Sequence, residues 1–404
     1  MQQKSRAVVF IGMVYPGGIV RHLALLGVEI AKCIHDCDYY FACISGDREI
    51  GAWDAVRAEL PMASIIEEET FAGLIGRCDV LFAKYETVLV HCGGGWGQTK
   101  HLIPLRRKYG KRLVLVGTTH SYRHDTAMRI PMSTFQAFLY LCYYDMIVFQ
   151  CQYAADQFWG ARALFRLKKA VVIPLGCELF AARQEEVPSG IRKMGTLQNV
   201  LVDRNLFKFV YLASFRPGKM HAWLVRAMAP VLRQYSNARV LFCGGGNEKV
   251  EKDISALLHK EGLDSQVIVP GRVSRNEVPW LLGHCNCAVV PSRAETFGHN
   301  FLEPMFAGLP VLGTPVGIGR DIIKDGETGQ QFSLKDVTSF RRKMEWFLGH
   351  RAEAVAMGSR AKSYVVDRFT HMKVAQTLSD LYCNLLGKHE ELIDHSPITV
   401  RGKG

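Results

Sequence analysis

Two glutamates in one short stretch, Glu295 and Glu303, are the side chains whose spacing most clearly indicates ligand chemistry. Glu295 follows an apolar run, Cys287–Val290, that predicts a buried strand, and a helix is predicted from near Gly298 to residues 307–308. On one continuous helix, residues eight apart would lie about 80° apart around the axis. We therefore expect one glutamate on the turn and the other on the helix, reaching two parts of one ligand. Because a helix N-terminus favours anions, the pattern predicts a pyrophosphate beside both carboxylates.

Two cations stand at the start of a second predicted helix. A strand predicted over 207–213 is followed by Ser214-Phe-Arg216-Pro-Gly-Lys219, which opens an amphipathic helix. Arginine can grip two oxygens at once, and lysine acts as a compact point charge. The spacing therefore predicts that Arg216 and Lys219 hold a diphosphate.

Glycines and a histidine follow two strands predicted in the first half of the chain. Gly17 and Gly18 lie between a strand at 7–12 and a helix, where they let backbone approach a ligand, although a tight turn would need glycine equally. His120 follows a strand at 113–117, at the edge where open sheets bind ligands, with His124 close behind. An imidazole there can hydrogen-bond a sugar hydroxyl or stabilise charge, but a lone histidine is as readily an ordinary polar residue.

The elements that must position these residues alternate along the chain. The 404 residues are 48% hydrophobic, enough for two domains with full cores. Alternating apolar runs and helical segments are typical of parallel doubly wound sheets. Strands are predicted at 7–12, 39–45, 87–92, 113–117, 146–150, 170–174, 207–213, 240–243, 267–269, 287–290 and 309–313. Helices are predicted at 335–348, 351–368 and 372–386, and residues 180–205, which show no clear period, predict a linker or flexible insertion.

The positive charge is concentrated in one part of the chain. The net charge is +12, and residues 100–169 contain twelve basic and three acidic side chains, a surplus of nine. A basic face of this kind fits an anionic membrane surface or an acidic acceptor, and an ordinary solvated helix surface is the alternative. The chain lacks helix-turn-helix, zinc-finger and aromatic RNA-binding signatures, so nucleic acid is not expected as a partner.

Cysteine usage and hydropathy give a first expectation about the cell compartment. The twelve cysteines have no framework spacing, which predicts reduced thiols in a cytoplasmic protein rather than metal ligands. The first residues are too polar for a signal peptide, and the apolar stretch 135–149 is too short and too interrupted to span a membrane. We expect a cytoplasmic protein, with peripheral attachment to the cytoplasmic membrane face compatible with its charge.

The glutamate-containing stretch resembles a known family signature. The run Pro291-Ser-Arg-Ala-Glu-Thr-Phe-Gly-His-Asn-Phe-Leu-Glu-Pro-Met-Phe-Ala-Gly-Leu-Pro-Val311, followed by Gly326-Glu-Thr-Gly329, resembles retaining GT-B glycosyltransferases of glycosyltransferase family 4. The resemblance covers nearly the whole chain, is strongest from 207 to 368 and is loose before 110. It implies an α/β GT-B fold, with two Rossmann-like doubly wound parallel-sheet domains facing a central cleft.

The same resemblance implies a role for each candidate residue. Glu295 would contact the donor sugar, Glu303 the ribose, and His120 the hydroxyl at C6 of the sugar. Lys219 matches the family lysine, whereas Arg216 is two residues out of register with the family arginine, whose place Ser214 occupies. The catalytic residues implied are His120, Lys219 and Glu295; donor-binding residues are Gly17, Gly18, Ser214, Arg216, Lys219, Gly271, Arg272, Val273, Glu295, Phe297, Gly298, His299, Asn300, Phe301 and Glu303. Backbone amides over 298–301 would bind the phosphates, and 271–273 the nucleobase.

The domains and the activity follow from this resemblance. We expect an acceptor-binding domain at 1–175, a linker at 176–205, a donor-binding domain at 206–368, and a last segment, 369–404, whose helix returns to the first domain. The implied activity is retaining transfer of a sugar from a UDP- or GDP-sugar to a hydroxyl of a glycan, glycolipid or small molecule. Neither a metal ion nor another cofactor is expected. An inactive sugar-nucleotide-binding scaffold and a GT-B epimerase, hydrolase or phosphorylase are the alternatives.

Overall fold

The apolar runs of the sequence form two parallel β-sheets, one in each of two units. The computed structural model describes residues 5–11, 19–44, 52–93, 95–119, 129–178 and 186–387. The first unit consists of Met1–Gly176 together with Phe369–Gly404, and the second of Cys177–Arg368. Each unit therefore has its own sheet and its own core.

The first unit is built on a parallel sheet of seven strands within the described residues, in the order β3-β2-β1-β4-β5-β6-β7. Its elements are β1 (Arg6–Ile11), α1 (Ile19–Cys33), β2 (Cys37–Ile44), α2 (Ala52–Glu59), β3 (Ser64–Glu68), α3 (Phe71–Phe82), β4 (Thr87–Gly93), α4 (Trp96–Tyr109), β5 (Leu113–Thr118), α5 (Arg129–Tyr143), β6 (Met146–Phe149), α6 (Gln152–Gln157), α7 (Ala161–Arg166) and β7 (Ala170–Val172). Val8 and Phe10 belong to one buried cluster, whereas Val9 and Ile11 belong to another. Burial on both faces explains why β1 reads as a continuous apolar run.

The second unit contains a parallel sheet of six strands among the described residues, in the order β10-β9-β8-β11-β12-β13. Its elements are α8 (Ser189–Lys193), α9 (Gly195–Val202), β8 (Phe207–Leu212), α10 (His221–Gln234), β9 (Ala238–Cys243), α11 (Glu248–Glu261), β10 (Val267–Gly271), α12 (Val278–Gly283), β11 (Cys287–Val290), α13 (His299–Phe306), β12 (Val311–Gly313), α14 (Gly319–Ile322), β13 (Gly329–Gln331), α15 (Val337–Gly349) and α16 (Arg351–Arg368). Both units thus have the doubly wound α/β architecture that the alternation predicts.

The last described helix, α17 (His371–Leu385), belongs to the first unit. Val374, Leu378 and Tyr382 are buried in the same cluster as Val8 and Phe10. The chain therefore leaves the first unit and comes back to it. None of the helices in the described ranges carries an apolar stretch long enough to cross a bilayer.

The structure differs from the sequence prediction at three places. The strands Ser64–Glu68 and Gly329–Gln331 were not predicted, because each lies at the edge of its sheet and is too polar or too short to give an apolar run. Residues 189–202, predicted as linker, form α8 and α9 within the second unit. Ile191, Leu197 and Leu201 are buried there, so their apolar side chains anchor the segment although it is too short to show a helical period.

Candidate functional site

The strand order places the predicted site residues at one point of the second sheet. β8 and β11 are neighbours in the sheet, and the strand order reverses between them: β9 and β10 follow on one side, and β12 and β13 on the other. Open α/β sheets bind ligands at the carboxyl ends of such a pair. Lys219 follows β8, and Glu295 follows β11. The topology thus brings together two residues that are far apart in sequence.

Lys219 and Glu295 form an ion pair through Nζ and Oε1. The two side chains are only 23% and 11% exposed, so solvent screens the pair less than it would at the surface. Ser292 Oγ donates a hydrogen bond to the same Oε1 at 2.7 Å, and Asn300 Nδ2 donates one at 3.4 Å. These contacts all reach Oε1 and orient the carboxylate; within the described part of the chain Oε2 has no partner and can accept a hydrogen bond from a ligand hydroxyl.

Tyr211, at the end of β8, contacts both the loop that carries Lys219 and the loop that carries Glu295. Its hydroxyl donates to the backbone oxygen of Lys219 at 2.8 Å and lies 3.3 Å from Ser292 Oγ. Burial raises the pKa of Tyr211, so the phenol stays neutral and keeps its proton for this bond. Thr314 Oγ1 donates to Ser292 O at 2.6 Å. The loops carrying Lys219 and Glu295 are therefore held by buried hydrogen bonds.

The helix α13 begins at Gly298 beside this ion pair. Gly298 has φ +97°, and a Cβ there would lie 2.8 Å from Cδ2 of Phe301, so only glycine fits. Phe301 and Phe297 are buried core side chains, and the Phe301 amide donates to Gly298 O at 3.0 Å. That amide is engaged in the first turn of the helix, and phosphate binding by the backbone amides of 298–301 stays a prediction. The His299 ring packs edge-on against Phe297, and Asn300 Oδ1 is buried without a partner in the described residues.

A glycine that sequence analysis did not single out, Gly317, supports the Glu295 turn. Its φ is +56°, and a Cβ would lie 2.2 Å from Phe297 O and 2.8 Å from Glu295 Cβ. The next amide, of Ile318, donates to Phe297 O at 2.7 Å. The Gly-x-Gly pattern of 317–319 after β12 was the available signal, since a close backbone approach requires glycine.

Glu303 lies in a second, more enclosed cluster. Arg275 Nη2 is 3.5 Å from Glu303 Oε1, and the Glu303 side chain is 14% exposed. Burial raises the pKa of Glu303; the Arg275 guanidinium partly offsets this, and the nearby Glu178 carboxyl adds to it. Burial likewise raises the pKa of Cys177, with Glu303 as a further cause. Sequence analysis missed Arg275 and Glu178, whose only signals were their positions in loops after predicted strands.

Arg216, expected to grip the diphosphate, has a different place from Lys219. Its exposed side chain lines a cavity whose walls include neither Lys219 nor Glu295. The backbone turns between the two cations over Pro217–Lys219, and Met220 follows with φ +59°. Arg216 thus lies on the wall of this cavity and Lys219 in the ion pair with Glu295, and the predicted diphosphate contact of Arg216 stays a prediction.

The other predicted donor residues lie on the loops beside β8. Half-buried Ser214 follows β8, and a Cβ on Gly244 would lie 2.0 Å from the backbone oxygen of Ala213. Gly271, with φ +81°, accepts a hydrogen bond from Gly244 N at 2.9 Å. The Arg272 side chain covers Gly245, and Val273 is half-buried. The predicted base-binding loop is therefore separated from the loop that carries Lys219 by the loop that follows β9.

In the first unit, the predicted residues Gly17, Gly18 and His120 lie outside the described residues. The strand end before His120 is described: Thr118 Oγ1 is 2.6 Å from His91 Nε2, and His91 Nδ1 is hydrogen-bonded to the Tyr382 hydroxyl. His91 therefore links α17 to the end of β5 and is a residue that sequence analysis missed. Across the described ranges, no group of three or more metal-binding side chains is arranged around one point.

Comparison with known proteins agrees with this geometry. Residues 198–364 match the family model described as glycosyl transferases group 1. N-acetyl-alpha-D-glucosaminyl L-malate synthase of Bacillus anthracis is 27% identical over 177 residues, which are 44% of this chain and 45% of that protein. The chain thus spans less than half the length of this curated relative.

Solved structures resemble the chain over almost its whole length. The Anabaena protein HepE, in complex with UDP and glucose, has a TM-score of 0.72 at 18% identity, covering 94% of this chain and 100% of that chain. Sucrose-phosphate synthase of Thermosynechococcus elongatus has a TM-score of 0.72 at 18% identity, covering 95% and 100%. Two Rossmann-like units of this kind define the GT-B class of α/β proteins. Within that class, the second unit carries the match to the glycosyl transferases group 1 family, over residues 198–364.

Proposed function

We propose that this chain transfers a sugar from a nucleoside-diphosphate sugar to an acceptor hydroxyl, with retention of configuration. The observation that carries this proposal is the half-buried Lys219–Glu295 pair at the junction of β8 and β11, next to the N-terminus of α13. A fixed cation beside a helix N-terminus suits a diphosphate, and an oriented carboxylate suits sugar hydroxyls. That the similar HepE protein was solved with UDP and glucose supports the same class of donor.

The proposed mechanism divides the donor between the two carboxylates. Lys219 and the N-terminal end of α13 stabilise the negative charge that develops on the departing diphosphate. Glu295 accepts a hydrogen bond from the sugar through Oε2, and Glu303 accepts one from the ribose. The acceptor hydroxyl attacks the anomeric carbon from the face that the diphosphate leaves; the bond from that carbon to the diphosphate oxygen breaks, and the hydroxyl proton passes to the departing diphosphate. Stabilisation by Lys219 and the N-terminal end of α13 needs no metal ion, so we propose metal-independent transfer of a hexose from a UDP- or GDP-sugar.

The acceptor is proposed to be a glycan, a glycolipid or a small molecule, reached at the cytoplasmic face of an anionic membrane. The first unit exposes large apolar side chains among cations, as on proteins that dock to membrane surfaces. We call this surface the aromatic-basic patch; its members are Phe135, Phe138, Trp159, Arg162, Phe165, Arg166, Leu167 and Lys168. Gly160 packs on Ala137, so the backbones beside Trp159 and Phe138 are adjacent.

The proposal is tested by a donor screen. Purified chain is incubated with UDP-, GDP-, ADP- and TDP-sugars, with and without a chelator, and nucleoside diphosphate release and donor-dependent thermal stabilisation are measured. We expect one donor to stabilise the protein and to turn over slowly, with no effect of the chelator. Stabilisation without release in the presence of acceptors would favour a binding scaffold. Loss of activity with chelator would disprove metal independence, and absence of any donor effect would disprove the donor assignment.

A further inference from the structure

A second cavity lies in the same unit, apart from the ion pair. It has a volume of about 600 Å³ and lies among α10, α11 and α15. The described residues that line it include Arg216, Met220, Trp223 and Arg341 but neither Lys219 nor Glu295. A cavity of this volume is large enough for a small organic ligand.

The charged groups on its walls all have the same sign. Arg216, Arg226 and Arg341 line the cavity, and none of its described lining residues is acidic. None of these three arginines forms an ion pair in the described part of the chain, and Arg341 Nε donates to Ala227 O at 2.9 Å, which fixes its guanidinium at the wall. Guanidinium groups bind phosphate oxygens with two parallel hydrogen bonds. The cavity is therefore complementary to an anion.

A buried histidine on the same wall lacks hydrogen bonds. His221 is 2% exposed, and neither of its ring nitrogens has a partner within the described ranges. Burial, with Lys219 nearby, lowers the pKa of His221 to about 4, so the ring is neutral and offers one donor and one acceptor. The ring stacks on Phe215 with a centroid separation of 4.5 Å and lies 4.8 Å from the Tyr211 ring, so it backs the cavity wall as part of a packed aromatic cluster.

The remaining wall is apolar and aromatic. Met220, Trp223 and Ile254 line it, and the Trp223 ring is fixed by stacking on Phe332 with a centroid separation of 5.6 Å. From these walls we infer that the cavity binds a small phosphate monoester with an aromatic or compact apolar body. The phosphate lies on the arginines, and the body packs against Trp223. This site is additional to the proposed donor site and does not depend on it.

The test uses phenyl phosphate as the probe, titrated calorimetrically into the full chain. Inorganic phosphate supplies the head group alone and phenol the body alone. We expect phenyl phosphate to bind at least tenfold more tightly than inorganic phosphate, and phenol not to bind. Equal affinity for phenyl phosphate and inorganic phosphate would overturn the assignment of an apolar body, and no binding of phenyl phosphate would overturn the site.

Variants locate the bound probe. Arg226→Gln, at an exposed position, and Trp223→Ala should each weaken phenyl phosphate binding at least fivefold, with circular dichroism verifying the fold. Lys219→Met, which breaks the ion pair with Glu295 but leaves the cavity walls intact, should bind phenyl phosphate like the unaltered chain. Loss of binding in Lys219→Met with retention in Arg226→Gln would place the probe at the donor site and refute the inference. Because this readout is binding alone, its outcome is independent of whether any sugar nucleotide turns over.

Discussion

Lys219 is the only cation whose side chain contacts Glu295 among the described residues, and its charge is the centre of the proposed mechanism. Lys219→Met keeps the length of the side chain but removes its charge. We expect nucleoside diphosphate release to fall by about two to three orders of magnitude, the usual effect of removing one group that stabilises charge in the transition state. The measurement is the steady-state rate with the donor identified by the screen. The control is Lys252→Met, an exposed lysine on α11, and equal rates for both variants would contradict the role of Lys219.

The ionised Glu303 carboxylate is predicted to lower the stability of the folded chain while it binds the donor. The pKa of Glu303 is raised in the folded chain, so the folded state binds this proton more tightly than the unfolded state does. Stability therefore increases as pH falls through the window between the folded pKa and the ordinary glutamate pKa. Above that window the ionised carboxylate costs stability. Glu303→Gln should therefore raise Tm at pH 8, with a gain that shrinks towards pH 5, while donor affinity falls about tenfold because the charge-assisted hydrogen bond is lost.

Thermal unfolding across this pH range and donor titration measure the two effects. Arg275→Gln is the matched control, because removal of that cation takes away the partial offset and should move the stability window to higher pH. A Glu303→Gln variant less stable than the unaltered chain at pH 8 would show that the carboxylate is net stabilising and would contradict the prediction.

Between elements, the Glu295 turn depends on the close approach of the loop that follows β12. Gly317→Ala would add a Cβ 2.2 Å from Phe297 O, in a backbone region that already costs about 1–2 kcal/mol for an L residue. We expect a total loss of about 3 kcal/mol of stability, since overpacking adds a further 1–3 kcal/mol. Donor turnover should fall as well, because the clash displaces Glu295.

The variant Gly326→Ala separates the effect of backbone strain from the effect of displacing Glu295. Gly326 has φ +78°, but no atom lies within 4 Å of a Cβ placed there, so the variant should lose only about 1–2 kcal/mol and keep its turnover. Chemical denaturation and initial rates compare the two variants. If Gly317→Ala were as active as Gly326→Ala, the turn would not require the close approach.

The same elements show how far sequence reasoning reaches. The sequence predicts β8, β11 and α13 because their apolar periods are strong, and it identifies Lys219 and Glu295 because each follows such an element. It does not predict that Arg216 lines the cavity among α10, α11 and α15, since that depends on the turn at 217–220 and not on residue type. Nor does it give Arg275 as the partner of Glu303, because a contact between two elements far apart in sequence leaves no period in it.

At the scale of the whole molecule, positive charge is unevenly distributed, and the structure shows which cations are exposed to contact a membrane. Several cations of the basic region 100–169 are used internally: Arg106 pairs with Asp145 at 2.7 Å, and Lys169 Nζ donates to the backbone oxygens of Leu141 and Tyr144. Exposed Arg162, Arg166 and Lys168 remain in the aromatic-basic patch. The membrane proposal therefore depends on this patch rather than on the total surplus of charge.

The patch is predicted to bind anionic bilayers through both charge and apolar contact. Phe138 and Trp159 are 60% and 63% exposed, and aromatic rings of this kind partition into the bilayer interface while neighbouring cations attract anionic lipid at about 1 kcal/mol each. The double variant Phe138→Ser with Trp159→Ser should reduce co-sedimentation with phosphatidylglycerol-containing vesicles at least tenfold, and vesicles of phosphatidylcholine alone should bind neither protein. Val355→Ser, which removes an equally exposed apolar side chain (60%) from the second unit, is the matched control. If these rings insert into the bilayer, the Phe138 and Trp159 double variant should bind vesicles less well than Val355→Ser does. Equal vesicle binding by the two variants would exclude the patch as the docking surface.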